Sequence, residues 1–198
     1  MREYTIKKVE QKIIWEEVPY LHIDNLLWTE KSDIVAKAQL CYDENAIYVH
    51  LIAAEEDIRA EHTSPTGMPC EDSCLEFFFS PYAGDERYFN IEFNPNCCMY
   101  LGMGTGVHNL VRLLPEHEPF NPRANRTEDG WEVFYSVPKA FINQFFPDFK
   151  LESGREIRAN CFKCGDLTVN PHFFSWNPVT SETPAFHRPC DFGLMRFE

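Results

Sequence analysis

No stretch of the chain approaches the roughly 18 consecutive apolar residues of a membrane-spanning helix, so the sequence offers no such span. Positive charge is also scarce: 18 Lys and Arg stand against 31 Asp and Glu, a net charge of −13. Affinity for nucleic acid depends largely on neutralising phosphates, and attraction to anionic lipid follows the same electrostatics. The expectation is therefore no nucleic-acid and no membrane partner, with neutral ligands and cations left open. Eight Cys in 198 residues are too sparse for a small disulfide-stapled scaffold. Residues Met1 to Lys8 lack the apolar stretch and small-residue cleavage site of a secretory leader. The thiols are thus expected to be reduced and the protein cytoplasmic, or extracellular only if a leader has been removed.

What the chain does have is aromatic side chains, 15% of its residues, and alternation. Ala36–Tyr42 and Ala46–Ile52 alternate around the turn Asp43-Glu44-Asn45 and read as a hairpin. Cys74–Phe79 and Tyr88–Phe93 form a second pair across the turn-rich Ser80–Asp85, and Asn94-Pro95-Asn96 turns the chain toward Cys98–Leu101. Trp131–Val137, Ile157–Phe162 and Phe192–Phe197 read as further strands. Pro138–Phe145 breaks the pattern: a leading Pro, with Phe141 and Phe145 four residues apart, predicts a short helix. Pro-rich Pro115–Pro122 and Asn170–Pro189 read as long loops, where ligands are often met. The expected fold is all-β: one domain over residues 1–198, an antiparallel β-sandwich of jelly-roll or immunoglobulin-like type with one or two short helices.

Period-two geometry sorts these strands by face. Leu75, Phe77 and Phe79 belong in the core with Phe89, Ile91 and Phe93. Cys74, Glu76 and Phe78 point the other way, with Asn90, Glu92 and Asn94. Arg158 and Asn160 oppose Ile157, Ala159 and Cys161. If the strands are neighbours, one sheet face carries Glu76, Asn90, Glu92, Arg158 and Asn160. Such a face can fix neutral hydroxyls through amide and charge-assisted hydrogen bonds, or it can be an ordinary solvated face.

Other motifs are weaker. Cys161 and Cys164 have Cys-x-x-Cys spacing, with His172, His187 and Cys190 downstream, yet an extended strand points the two thiols to opposite faces and no second such pair follows. Cys97 and Cys98 read as buried small apolar residues. Leu101–Gly106 is glycine-rich without the Lys-Ser/Thr of a phosphate loop. Asn125-Arg126-Thr127 matches a glycosylation acceptor, which matters only in a secreted chain.

Several segments share an order with a known family: Cys41–Val49, Glu71–Phe79 with its Asp-x-x-x-Glu spacing, and Trp131–Pro138 leading into a helix. Phe174–Pro178 and Phe186–Gly193 are the most distinctive. From about Trp15 to the end the chain resembles the carbohydrate-binding module family 9-like domains, in a stand-alone bacterial form. The resemblance implies a β-sandwich that binds saccharides without catalysis, a terminal sugar clamped between two Trp rings, polar side chains on its hydroxyls, and structural calcium. It implies Trp176 as one clamp; the loop before Asp72 offers Met68 and Pro69 where a second aromatic would stand. It places Glu76, Arg158 and Asn160 among the polar contacts, to which the strand pattern adds Asn90 and Asn94, and the late loop His187 and Arg188.

Two rival readings remain. Met99, Met103 and His108 are the residues a haem-binding module of related fold would use. Glu76 and Glu92, the carboxylate pair on one sheet face, are those a glycan-processing enzyme would use.

Overall fold

Alternation does set the architecture. The computed structural model describes residues 1–10 and 12–198. In chain order its strands are β1 (Glu3–Lys8), β2 (Leu21–Ile23), β3 (Asn25–Leu26), β4 (Val35–Tyr42), β5 (Ala46–Ala54), β6 (Cys74–Ser80) and β7 (Tyr88–Phe93). They continue with β8 (Met99–Gly104), β9 (Leu110–Arg112), β10 (Arg123–Arg126), β11 (Gly130–Pro138), β12 (Glu156–Gly165), β13 (His172–Ser175) and β14 (Gly193–Phe197). One short helix, α1 (Lys139–Ile142), follows Pro138, whose fixed φ suits a helix start. Phe141 and, just beyond the helix, Phe145 both pack on Phe89, as their spacing predicts. Among the described residues no helix is long and apolar enough to cross a membrane.

The strands form one curled sheet in the order β10-β11-β5-β4-β1-β14-β12-β6-β7-β8-β9, with β2 beside β4, and β13 and β3 beyond β12. The expectation of a wholly antiparallel sheet needs correction at β1. Glu3 to Ile6 pair in parallel with β14, and Lys7 and Lys8 pair in parallel with β4. A single strand thus shares its length between two neighbours and joins the two halves of the sheet. Turn residues and hydrophobic period do not encode that pairing.

The two halves meet across a continuous core. Leu40, Val49, Leu51, Trp131 and Val133 from one half pack in the same cluster as Leu75, Phe77, Phe79, Phe89, Ile91 and Phe93 from the other. Each buried Phe contributes about 1.5–3 kcal/mol through lost apolar hydration. Phe120, in the Pro115–Pro122 loop, is fully buried and anchors that loop. The Asn170–Pro189 segment, expected as loop, contains β13, which pairs with β12 through Phe162↔Ser175 to Gly165↔His172. Leu101–Gly106 runs mostly in β8 and forms no phosphate cradle.

Candidate functional site

Strands β12, β6, β7, β8 and β9 lie side by side, so their registers align outward-facing side chains into rows. One row crosses four strands as Phe162, Glu76, Glu92 and Tyr100. The next crosses five as Asn160, Phe78, Asn90, Gly102 and Arg112. The face inferred from period two therefore exists, with Glu76 directly opposite Glu92.

This face is buried but incompletely bonded. Glu76 and Glu92 are only 2% and 5% exposed. Glu76 Oε1 accepts from Cys164 Sγ at 3.0 Å, and Glu92 Oε1 accepts from Asn90 Nδ2 at 2.9 Å. Among the described residues, Glu76 Oε2, Glu92 Oε2, Asn90 Oδ1 and Arg112 Nε are buried without a hydrogen-bond partner. Buried polar atoms are nearly always paired, and leaving one bare costs about 1–3 kcal/mol; four of them lie together on these two adjacent rows.

Electrostatics follow from the burial. Desolvation pushes Glu92 up to about 7, and the Asp166 charge adds to this, while the Asn90 hydrogen bond and the Arg112 charge pull it back. Glu76 is driven well above the carboxylate range, first by desolvation and then by the neighbouring Glu92, against the hydrogen bond from Cys164. Both carboxyls are thereby biased toward the neutral acid, able to donate as well as accept.

Two walls border the face. On one side Arg112 donates to the carbonyls of Pro65, Thr66, Gly67 and Met99 at 2.6–3.2 Å, while its guanidinium lies 4.4 Å over the Tyr100 ring. It fastens the turn before Met68 to the start of β8. Gly102 keeps the floor low, since a Cβ there would touch Tyr100 and Leu110 at 3.0–3.2 Å. On the other side half-buried Phe186 stacks on Phe162 with ring centres 4.2 Å apart. Trp28 abuts Phe186 at 5.5 Å and is held by its Nε1 donating to Ser181 O at 2.9 Å.

Several expected contacts are already engaged within the protein. Trp176 is 3% exposed, sits in the core, and packs so closely on Gly193 that a Cβ there would approach Cζ3 to 2.5 Å. The expectation of an exposed stacking platform is corrected: the loop after β13 turns this ring inward. Asn160 spends its amide on Asn177 O and its carbonyl on the Cys161 and Asn177 amides. Asn94 is likewise consumed, donating to His62 O and Asp72 Oδ2 and accepting from Asn96 and Cys98. Arg158 donates to Phe192 O. Arg188 pairs with Asp191 at 2.7 Å. His187 bonds Tyr88 Oη through Nδ1 at 2.8 Å and lies against Phe78, and burial lowers it to about 4. Of the expected saccharide contacts, Glu76 and Asn90 are the two with a buried side-chain atom left without a partner among the described residues.

Tyr100, Arg112 and Phe186 join the site without having been singled out. Counting across the Asn94-Pro95-Asn96 turn would have set Tyr100 beside Glu92. Arg112 belongs to a three-residue strand too short to show alternation. Phe186 was visible only as part of the late loop motif.

The rival ligand sets do not assemble. Met99 and Met103 pack against the core, whereas His108 is exposed on a surface turn. Cys161 is in the core while Cys164 faces Glu76, so the Cys-x-x-Cys pair is split as its spacing implies. A cleft of about 960 Å³ lies elsewhere, between Ile34, Glu55, Asp57, Asp129 and His172. The groups at its floor, Glu55 and His172, already have protein partners.

A sequence profile for carbohydrate-binding family 9 matches residues 7–197. No curated protein matches the chain. Among solved structures, a candidate carbohydrate-binding protein from Bacteroides uniformis is similar at 25% identity with a TM-score of 0.83, covering 100% of this chain and 99% of that one. A family 9 carbohydrate-binding module from Caldicellulosiruptor kristjanssonii, solved with glucose, is similar at 12% identity and a TM-score of 0.72, covering 100% of this chain and 96% of that one. The cellotriose complex of a family 9 module from the same organism gives 13% identity and a TM-score of 0.71, with 100% and 94% covered. At such identities the last two show likeness of fold alone.

Proposed function

Because the chain belongs to carbohydrate-binding family 9, we propose that it binds saccharide without transforming it, on the outer face of β6, β7, β8 and β9. The observation that carries this reading is the set of four buried atoms without partners on Glu76, Asn90, Glu92 and Arg112. A sugar hydroxyl both donates and accepts, so a ring of hydroxyls can meet carboxyl and amide oxygens and an Arg N–H together. The apolar C–H face of the sugar would rest on Phe186 or Tyr100, which replace the expected Trp176. The net charge of −13 favours a neutral ligand over an anionic one. In fold terms this reading is a β-sandwich of the jelly-roll kind, its layers being the two halves of the curled sheet.

Hydrolysis by Glu76 and Glu92 is less well supported. Burial pushes both toward the neutral acid, whereas glycoside cleavage needs one carboxylate held ionised. A structural calcium ion would need a cage of hard oxygen donors. The converging metal-capable group among the described residues, Cys74, Glu76 and Cys164, is sulfur-rich and does not suit it.

Calorimetric titration with mono- and oligosaccharides, with and without calcium, tests the proposal. Saturable binding to one sugar class, weakened about tenfold or more by Asn90→Ala or Glu92→Gln, is the expected result. Silence across the panel, or binding indifferent to both substitutions, would overturn it.

A further inference from the structure

We propose that Cys74, Cys164 and Glu76 form a binding site for a thiophilic divalent cation of the zinc class, at the edge of the saccharide face. Cys164 on β12 is directly opposite Cys74 on β6, and Glu76 follows two residues along the same side of β6. One ligand atom from each of the three lies within 4.8 Å of the other two, and Cys164 Sγ is 3.0 Å from Glu76 Oε1. All three side chains are buried. Thiolate sulfur selects zinc-like ions over calcium or magnesium, and three protein ligands leave a fourth tetrahedral position for water.

A second observation points independently to a missing ligand: Glu76 Oε2, on a side chain only 2% exposed, has no hydrogen-bond partner among the described residues. A cation between the two sulfurs and this carboxyl would supply it. Binding through two thiolates and a carboxylate displaces their protons and leaves a local charge of about −1 around one doubly charged ion. At the rim beside this group, Cys70 is half-buried and Asp166 is exposed with its N–H bonded to Cys70 O at 2.9 Å. A metal in this position takes Glu76 but leaves Asn90, Glu92 and Arg112 to the saccharide.

The test uses reduced, metal-free full-length protein and no saccharide, so its failure is separate from failure of the saccharide reading. Titration with Cd²⁺ alone should give a saturable thiolate-to-metal charge-transfer band at one ion per chain. Cys74→Ser and Cys164→Ser should each abolish it, and Glu76→Gln should keep the band while weakening affinity about tenfold. Cys190→Ser, at an exposed thiol, should change nothing. A measurement on the unaltered chain guards against variants that fail to fold: excess Zn²⁺ should raise the melting temperature where Mg²⁺ and Ca²⁺ do not. No saturable band, a band surviving loss of both Cys74 and Cys164, or a melting temperature unmoved by Zn²⁺ would overturn the proposal.

Discussion

Two polar clusters lie on opposite sides of the sheet that carries β12, β6 and β7, and they differ in one respect. On the core side, Lys163 of β12 is fully buried and pairs with Glu55 at 3.2 Å, donates to Cys164 O, and lies 2.6 Å from His172 Nε2. Glu55 Oε1 also accepts from Trp131 Nε1 at 2.6 Å, and Oε2 accepts from Ser73 at 3.1 Å. Every charge there is answered by the protein. On the outer side Glu76, Asn90 and Glu92 are nearly as buried and Arg112 is half-buried, yet each keeps a buried atom unanswered. Burial of charge alone does not mark a site; burial with bonds left over does. The closed cluster is complete within the protein, and the open one is where we propose that a ligand completes the hydrogen bonding.

The sharpest way to break this contrast is to unbalance the closed cluster. Lys163→Met should cost about 3–5 kcal/mol in urea unfolding, because it strands the Glu55 carboxylate in the core. Trp176→Ala should cost a similar amount, about 3–5 kcal/mol, through the cavity it leaves. In both cases the folded fraction should retain its saccharide affinity; selective loss of affinity in Trp176→Ala with stability intact would return that ring to the binding site.

Acid should act on the clusters in opposite directions. Glu92 titrates at about 7 in the folded chain against 4.5 ordinarily, so its contribution to stability is full below pH 4.5 and is lost as pH rises through 7. Glu92→Gln should therefore gain on the unaltered protein as pH rises from 4.5 to 8, by up to about 3 kcal/mol, while binding saccharide more weakly. His172 is held near 4, mainly by burial and then by the Lys163 charge, so its contribution is present above 6.5 and fades as pH falls through 4. Melting curves of Glu92→Gln and His172→Gln across this range would show whether the two differences slope oppositely, as expected. The smallest effect belongs to the wall: Phe186→Ala should lower saccharide affinity by about 1 kcal/mol, measured by calorimetry, with little change in unfolding midpoint.

Much of this was legible in the sequence, for a definite reason. Alternation sorts Glu76, Asn90 and Glu92 from Phe77, Phe89 and Ile91 before any coordinates are known, and a sheet folded on its core must turn the polar set outward. The same periodicity separates Cys161 from Cys164. What stayed hidden depends on contacts distant in the chain. Trp176 reads as a loop aromatic because Gly193, on which it packs, comes 17 residues later in the next strand. Asn94 and Asn160 look like free amides until the backbone groups that consume them are in place. Arg112 reaches the site only because β9 pairs with β8 and brings it over Tyr100. The parallel pairings of β1 leave no local mark at all.

The most direct test of the open cluster as the saccharide site is a hydrogen-exchange footprint with the tightest-binding oligosaccharide from the titrations. New amide protection is expected in the 65–70 turn, in 99–112 and in the 179–188 loop, with exchange around Glu55, Asp129 and His172 unchanged. Protection confined to that second cleft, with 65–70 and 99–112 unaltered, would contradict it.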